Sequence, residues 1–188
     1  MTRPPITPKV QHPYPIYYSN RIIAGFGRGS AELGIPTANV PVDRVFDNLD
    51  TGIYFGWCLL SPADCSEHVE KTDHEREVNF NYGHNLTDDE LTCLPMVMSV
   101  GWNPFYHNQE KAAEVHIMKE FKDTFYGADV SVVILGYIRP ELNYTTKEAL
   151  IEDIRLDIKT AEETLATPEY RKFQDTLMVQ NKSKSKKV

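Results

Sequence analysis

The chain has 188 residues, and its 41% apolar content is enough to build the hydrophobic core of one ordinary domain. Its formal net charge of −7 disfavours nucleic acid as the main partner, because a polyanion is bound by basic surfaces. The sequence has no apolar run of about 18 residues and no apolar N-terminal leader, so we expect a cytoplasmic protein without a membrane span.

The predicted elements begin with an extended arm, since five of the twelve prolines lie in residues 1–15. From there to about residue 139, short apolar runs alternate with turn residues, and no helical segment separates them. This pattern predicts a closed barrel rather than a parallel sheet with crossover helices. The predicted strands are residues 17–25, 51–60, 77–82, 96–101, 112–117 and 130–139.

The segment 61–95 is acidic, with nine acidic and two basic side chains. Its strand at 77–82 alternates apolar and polar residues and is flanked by polar stretches rich in turn residues. We expect an elongated hairpin or insertion that leaves the core. A surface segment without a functional role is the simpler explanation of it.

The hydrophobic period changes to that of a helix after residue 145. Thr145 and Glu148 have the spacing of a capping box, and Thr167-Pro168 is expected to end the helix. The apolar stripe that should pack on the outside of the barrel is Leu150, Ile154, Ile158, Ala161 and Leu165. We therefore expect an arm at 1–15, a barrel domain with its helix at 16–170, and a C-terminal end at 171–188 with a basic, disordered tail.

The densest cluster of unusual residues runs from Gly25 to Asn39 and holds four glycines before Pro36. Glycines let backbone N–H groups wrap an anion such as a nucleotide phosphate. The Rossmann and Walker A patterns both fail here, because Gly34-Ile-Pro36 interrupts any following helix and no Gly-Lys-Ser/Thr is present. A glycine-rich turn without a ligand stays open as the alternative.

Two neutral oxygen donors close this cluster. Thr37 and Asn39 are two residues apart, so on an extended chain their side chains face the same way. Mg²⁺ prefers oxygen ligands and shares them with substrate phosphates, which makes this pair a candidate metal site. Ordinary hydrogen bonding at the start of a strand is the alternative.

A second cluster contains Ser99-Val-Gly-Trp-Asn-Pro104 and, further on, Glu114-Val-His-Ile117. In the latter stretch Val115 and Ile117 face one side of a strand, and Glu114 and His116 face the other. Periodicity alone does not make Glu114 catalytic.

Taken together, the motifs resemble the riboflavin kinase family, in order and with its spacing, from about residue 21 to residue 165. They are Gly25-Phe-Gly-Arg-Gly-Ser, Leu33-Gly-Ile-Pro-Thr-Ala-Asn39, Thr51-Gly-Ile-Tyr54, Ser99-Val-Gly-Trp-Asn-Pro104, Glu114-Val-His-Ile117 and Phe125-Tyr-Gly127. The resemblance implies a mainly β fold, a six-stranded antiparallel Greek-key β-barrel with a C-terminal α-helix packed outside it. It also implies transfer of a phosphate from Mg-ATP to riboflavin, with Zn²⁺ or Mn²⁺ as alternative ions.

The resemblance carries roles to individual positions. Glu114 would be the catalytic carboxylate, and Thr37 and Asn39 would hold the metal. The residues that would line the ATP site are Gly25, Ala31, Thr37, Ile117, Lys119 and Tyr126. Those that would border the riboflavin or FMN site are Arg139, Leu142 and Tyr144.

No second nucleotide-transferring domain is visible, so the chain resembles the monofunctional eukaryotic members, and we expect a monomer. A non-catalytic flavin carrier or adaptor on the same barrel is one rival, although it would have no use for a metal site beside a carboxylate. An RNA-binding barrel is another, and the net charge of −7 argues against it.

Overall fold

The computed structural model of the protein describes residues 3–25, 34–72, 75–102 and 110–185. Its strands are β1 (Ile16–Arg21), β2 (Ala38–Val40), β3 (Gly52–Ser61), β4 (His68–Lys71), β5 (Glu77–Phe80), β6 (Leu94–Trp102), β7 (Lys111–Ile117) and β8 (Asp129–Arg139). Its helices are α1 (Lys147–Leu165), α2 (Pro168–Arg171) and α3 (Phe173–Ser185), and a 3₁₀ turn spans Arg44–Phe46. Within these ranges, no helix has the length and apolar character needed to cross a bilayer.

Six strands form one antiparallel sheet in the order β1-β8-β3-β6-β7-β2. The sheet curls until its two edges approach each other, and Ile23, just beyond β1, forms an antiparallel bridge with Asn39 in β2. The Ile23 N–H donates to the Asn39 carbonyl at 3.0 Å. The predicted mainly β fold with a C-terminal helix is confirmed.

Strand β8 shows why the central strands are almost continuously apolar. Val132 and Ile134 point into the barrel, whereas Val133 and Leu135 point outward beneath the C-terminal helices. Because side chains alternate between the two faces of a strand and both faces are covered here, every position favours an apolar residue.

The sixth strand of the barrel differs from the predicted one. Residues 77–80 form β5, which pairs with β4 in a separate two-stranded sheet. The barrel is completed instead by β2, which has three residues. A segment that short cannot show the alternation that marks a strand, so the pattern pointed to the longer hairpin strand.

The C-terminal helices cover the outside of β3, β6 and β8. Helix α1 is capped by Thr146, whose Oγ1 accepts from the Ala149 N–H at 3.2 Å, one residue later than the Thr145 expected from the sequence. Ala161 and Leu165 of the predicted stripe are buried against this face. Helix α3 continues to Ser185, where an irregular tail was expected, and residues 186–188 lie outside the described residues.

Candidate active site

Three predicted polar residues meet on the outer face of β2 and β7. In the antiparallel register Asn39 lies opposite Glu114, and Thr37 comes two residues before Asn39. The Thr37 hydroxyl donates to Glu114 Oε2 at 2.9 Å. Because Val115 is buried inside the barrel, the neighbouring Glu114 side chain points outward, where it is partly exposed. The structure thus brings together the catalytic carboxylate and both metal-site residues of the prediction.

Gly25 lies directly against the Asn39 amide. A Cβ atom at position 25 would stand 2.1 Å from Asn39 Nδ2, so only glycine fits without moving that side chain. The Gly25 carbonyl accepts from the guanidinium of Arg76 at 3.3 Å. Ala31, the other predicted nucleotide residue in this stretch, lies outside the described residues.

A cavity of about 420 Å³ opens beside Thr37. Its walls are mostly apolar and aromatic and include two lysines. They are formed by Ile22, Pro36, Thr37, Ala38, Val115, Ile117, Lys119, Phe121, Lys122, Asp123, Thr124, Phe125 and Tyr126. Of the residues expected to line a nucleotide site, Thr37, Ile117, Lys119 and Tyr126 are gathered here. An apolar pocket with a few convergent polar groups is typical of a small-molecule site.

Lys119 lies in an ion pair at the edge of this cavity. Its Nζ is 2.8 Å from Asp89 Oδ2, and the Asp89 side chain is 66% exposed. The hydrogen bond from Lys119, with a second from Thr87, lowers the pKa of Asp89 to about 2. The carboxylate is therefore ionised at neutral pH and pairs with the lysine beside the cavity.

The residues expected to border the flavin form a second group at the end of β8. Arg139 is 2% exposed, and its Nε and Nη2 donate to Asp157 at 2.8–3.1 Å. The guanidinium carbon stands 5.8 Å from the ring centre of Tyr144, whose hydroxyl donates to Asp153 at 2.6 Å. Burial and this hydrogen bond raise the pKa of Tyr144 to about 12. Leu142 is 40% exposed.

The sequence reading missed Asp153 and Asp157 in this group. The signal was present, because Asp157 lies within the apolar stripe of α1, between Ile154 and Ile158, where a solvent-facing acid is not expected. Arg3 of the N-terminal arm completes the network, with its guanidinium 2.5 Å from Asp157 and 3.1 Å from Asp153.

The donors near Glu114 suit a hard cation. Thr37 offers a hydroxyl and Asn39 an amide oxygen, and Mg²⁺ prefers oxygen ligands. Among the residues that the structure describes, no three His, Cys, Asp or Glu side chains form a cluster of their own that could hold a metal.

Comparison with known proteins gives a consistent result. The family model described as Flavokinase: Riboflavin kinase matches residues 12–165. The chain is 56% identical over 177 residues to the riboflavin kinase of Scheffersomyces stipitis, covering 93% of this chain and 99% of that protein. It is also 56% identical over 170 residues to the riboflavin kinase of Kluyveromyces lactis, covering 88% and 92% of the two chains.

Among solved structures, the fold resembles that of riboflavin kinase from Trypanosoma brucei, with a TM-score of 0.56, 20% identity and 85% of each chain covered. At that identity the likeness concerns the fold alone, whereas the family model and the closer relatives cover most of the sequence. The chain belongs to the riboflavin kinase family.

Proposed function

We propose that this protein is a riboflavin kinase, which transfers the γ-phosphate of ATP to the 5′-hydroxyl of riboflavin and releases FMN and ADP. The family match supports this function. The single structural observation that carries it is the Thr37–Glu114 hydrogen bond of 2.9 Å, because Thr37 also lines a cavity large enough for part of a nucleotide. The Glu114 carboxylate, which can accept a hydroxyl proton, thus lies next to the position assigned to the phosphates.

In this proposal ATP occupies the cavity beside Thr37. The apolar walls, including Ile117 and Tyr126, take the adenosine part, and Lys119 contributes positive charge. The polyphosphate runs toward Thr37 and the backbone at Gly25, where a side chain would collide with Asn39. Phosphoryl transfer depends mainly on positioning and charge neutralisation, which such an arrangement supplies.

Thr37 and Asn39 would hold a divalent cation, Mg²⁺ with Zn²⁺ or Mn²⁺ as alternatives. When bound, that ion supplies neutralisation of the charge on the phosphate oxygens. The donor set of hydroxyl and amide oxygens fits a hard cation that also binds substrate.

Glu114 is assigned the role of general base. With Oε2 accepting from Thr37, Oε1 accepts the proton of the riboflavin 5′-hydroxyl. The hydroxyl oxygen then forms a bond to the γ-phosphorus, the bond to the bridging oxygen breaks, and ADP leaves with that electron pair. General bases of this kind contribute about 10²–10⁴ in rate.

The isoalloxazine ring is assigned to the surface formed by Leu142 and Tyr144. Leu142 is 40% exposed and offers an apolar contact, and the Tyr144 ring is fixed by its bond to Asp153. Arg139 borders this site through its contact with the Tyr144 ring. Its guanidinium is held there by the hydrogen bond to Asp157.

The direct test is to incubate the protein with riboflavin, ATP and Mg²⁺ and to separate FMN and ADP by chromatography. Glu114→Gln keeps the size of the side chain and should lower kcat by about 10²–10⁴-fold without a change in melting temperature. Glu162→Gln, the same change on the exposed face of α1, is the matched control. A Glu114→Gln rate within about threefold of the parent would remove the base assignment, and riboflavin binding without any FMN would favour the carrier.

A further inference from the structure

The loop between β7 and β8 forms much of the cavity wall. Residues 119–126, here called the cavity loop, include Lys119, Phe121, Phe125 and Tyr126 among the lining side chains. A nucleotide in this cavity therefore depends on where the loop lies. The partners that fix the loop come from the acidic segment 61–95.

Glu90 is the first of these partners. It is 2% exposed, its Oε1 accepts from the Lys122 backbone N–H at 3.0 Å, and its Oε2 accepts from the Thr87 N–H at 2.9 Å. Burial opposes ionisation, but the two backbone donors hold the pKa of Glu90 below its usual value. A buried carboxylate with two backbone donors is a fixed anchor rather than a solvated surface charge.

Asn81 is the second partner. Its side chain has no exposed surface, its Nδ2 donates to the Thr124 carbonyl at 2.6 Å, and its Oδ1 accepts from the Gly83 N–H at 2.9 Å. Two further hydrogen bonds join the acidic segment to the cavity loop. Asn85 Nδ2 donates to Asp123 Oδ2 at 2.8 Å, and the Tyr82 N–H donates to the Tyr126 carbonyl at 2.9 Å.

We infer that residues 81–90 are a buttress that sets the cavity loop for nucleotide binding, with Asn81 and Glu90 as its positioning residues. The inference rests on the proposed nucleotide site, and it replaces the passive role expected for this part of the acidic segment. The buttress holds the cavity loop through the Asn81 amide, the backbone-paired carboxylate of Glu90 and the ion pair between Asp89 and Lys119.

Glu90→Gln tests the anchor with little change in volume. Two backbone N–H groups need two acceptors, and glutamine offers one oxygen and one NH₂ group, so one buried N–H loses its partner. We expect the KM for ATP, and the Kd of ADP measured by calorimetry, to rise about tenfold. The KM for riboflavin should stay within about twofold, since the flavin surface at Tyr144 has no contact with this segment among the described hydrogen bonds.

Glu70→Gln is the matched control. It makes the same chemical change in the same segment, on the exposed hairpin strand β4, where Glu70 pairs with His68. It should leave both KM values unchanged. Hydrogen exchange gives an independent measurement: amides of residues 119–126 should exchange faster in Glu90→Gln than in Glu70→Gln, and saturating ADP should restore part of the protection.

Asn85→Ala provides a milder variant in case Glu90→Gln does not fold, because Asn85 is exposed and its loss removes one bond to Asp123. It should raise the Kd of ADP by about two- to threefold. Unchanged ADP affinity in the buttress variants, or an equal rise in the KM of both substrates, would overturn the inference. If the parent protein itself neither binds ADP nor makes FMN, the proposed function fails instead.

Discussion

Arg139 at the end of β8 and Asp157 on α1 form a buried ion pair in which the guanidinium Nε and Nη2 both contact the carboxylate at 2.8–3.1 Å. Each side chain is 2–3% exposed. The pair joins the barrel to the helix beneath the surface assigned to the flavin, and Arg3 links the N-terminal arm to the same carboxylate.

Loss of the Asp157 charge should therefore destabilise the protein strongly. Asp157→Asn leaves the buried Arg139 without a counter-charge, and breaking such a pair costs about 3–5 kcal/mol. Urea denaturation of the variant and the parent measures the difference. The control is Glu163→Gln, which removes an exposed pair with Lys159 at 3.9 Å and should cost less than about 0.5 kcal/mol. Equal losses in the two variants would contradict the structural role.

The contact between Gly25 and Asn39 predicts an effect on turnover. In Gly25→Ala the new methyl group must push the Asn39 amide out of place, so we expect kcat to fall about 10–100-fold with little change in melting temperature. A double-mutant cycle checks the cause. If alanine at 25 acts through Asn39, it should add almost nothing to the defect of Asn39→Ala; additive losses would show an independent effect.

Asn39→Ala should also raise the magnesium requirement. The variant loses an amide oxygen assigned to the cation, so the Mg²⁺ concentration for half-maximal rate should increase about tenfold. Titration of activity with Mg²⁺ at fixed ATP provides the measurement. Asn79→Ala, on the exposed side of β5, should leave the titration unchanged. Unchanged magnesium dependence in Asn39→Ala would remove it from the metal site.

Alkaline pH should destabilise the fold through one buried and one partly buried tyrosine. Burial raises the pKa of both Tyr14 and Tyr18 from 10.0 to about 12. The folded state keeps protons that the unfolded chain releases, so their stabilisation is present below pH 10 and is lost as the pH rises toward about 12. The free energy of unfolding, measured at intervals between pH 9 and about 11.5, should fall. In Tyr18→Phe the free energy of unfolding should fall less steeply with pH than in the parent. Parallel curves for the two proteins would show that Tyr18 does not contribute to the loss.

The sequence predicted the five long barrel strands because each shows an apolar run bounded by turn residues. Strand β2 was missed because its three residues carry no period. The two adjacent threonines before α1 could not be told apart as caps, since either satisfies the pattern and only the backbone angles decide that Thr146 is the one. Local signals therefore located the elements but not their exact ends.

The sequence predicted some residues of the candidate site but not the long-range contacts that bring them together. Thr37, Asn39 and Glu114 were selected by their motifs, but their meeting depends on the long-range register of β2 with β7. Glu90 was not selected, because an acidic, turn-rich segment has the composition of solvated surface. Its partner, the Lys122 backbone, is 32 residues away and carries no side-chain signal.

The join between the two edges of the sheet has a mechanical consequence. In the described part of the chain these edges meet at the bridge between Ile23 and Asn39, whereas β3 and β8 are paired along nine positions. Parting the wall at this join breaks fewer backbone hydrogen bonds than parting it anywhere along β3. The groups assigned to the reaction thus lie at the more weakly joined side of the cylinder, and we expect this side to open more readily than the wall formed by β3 and β8.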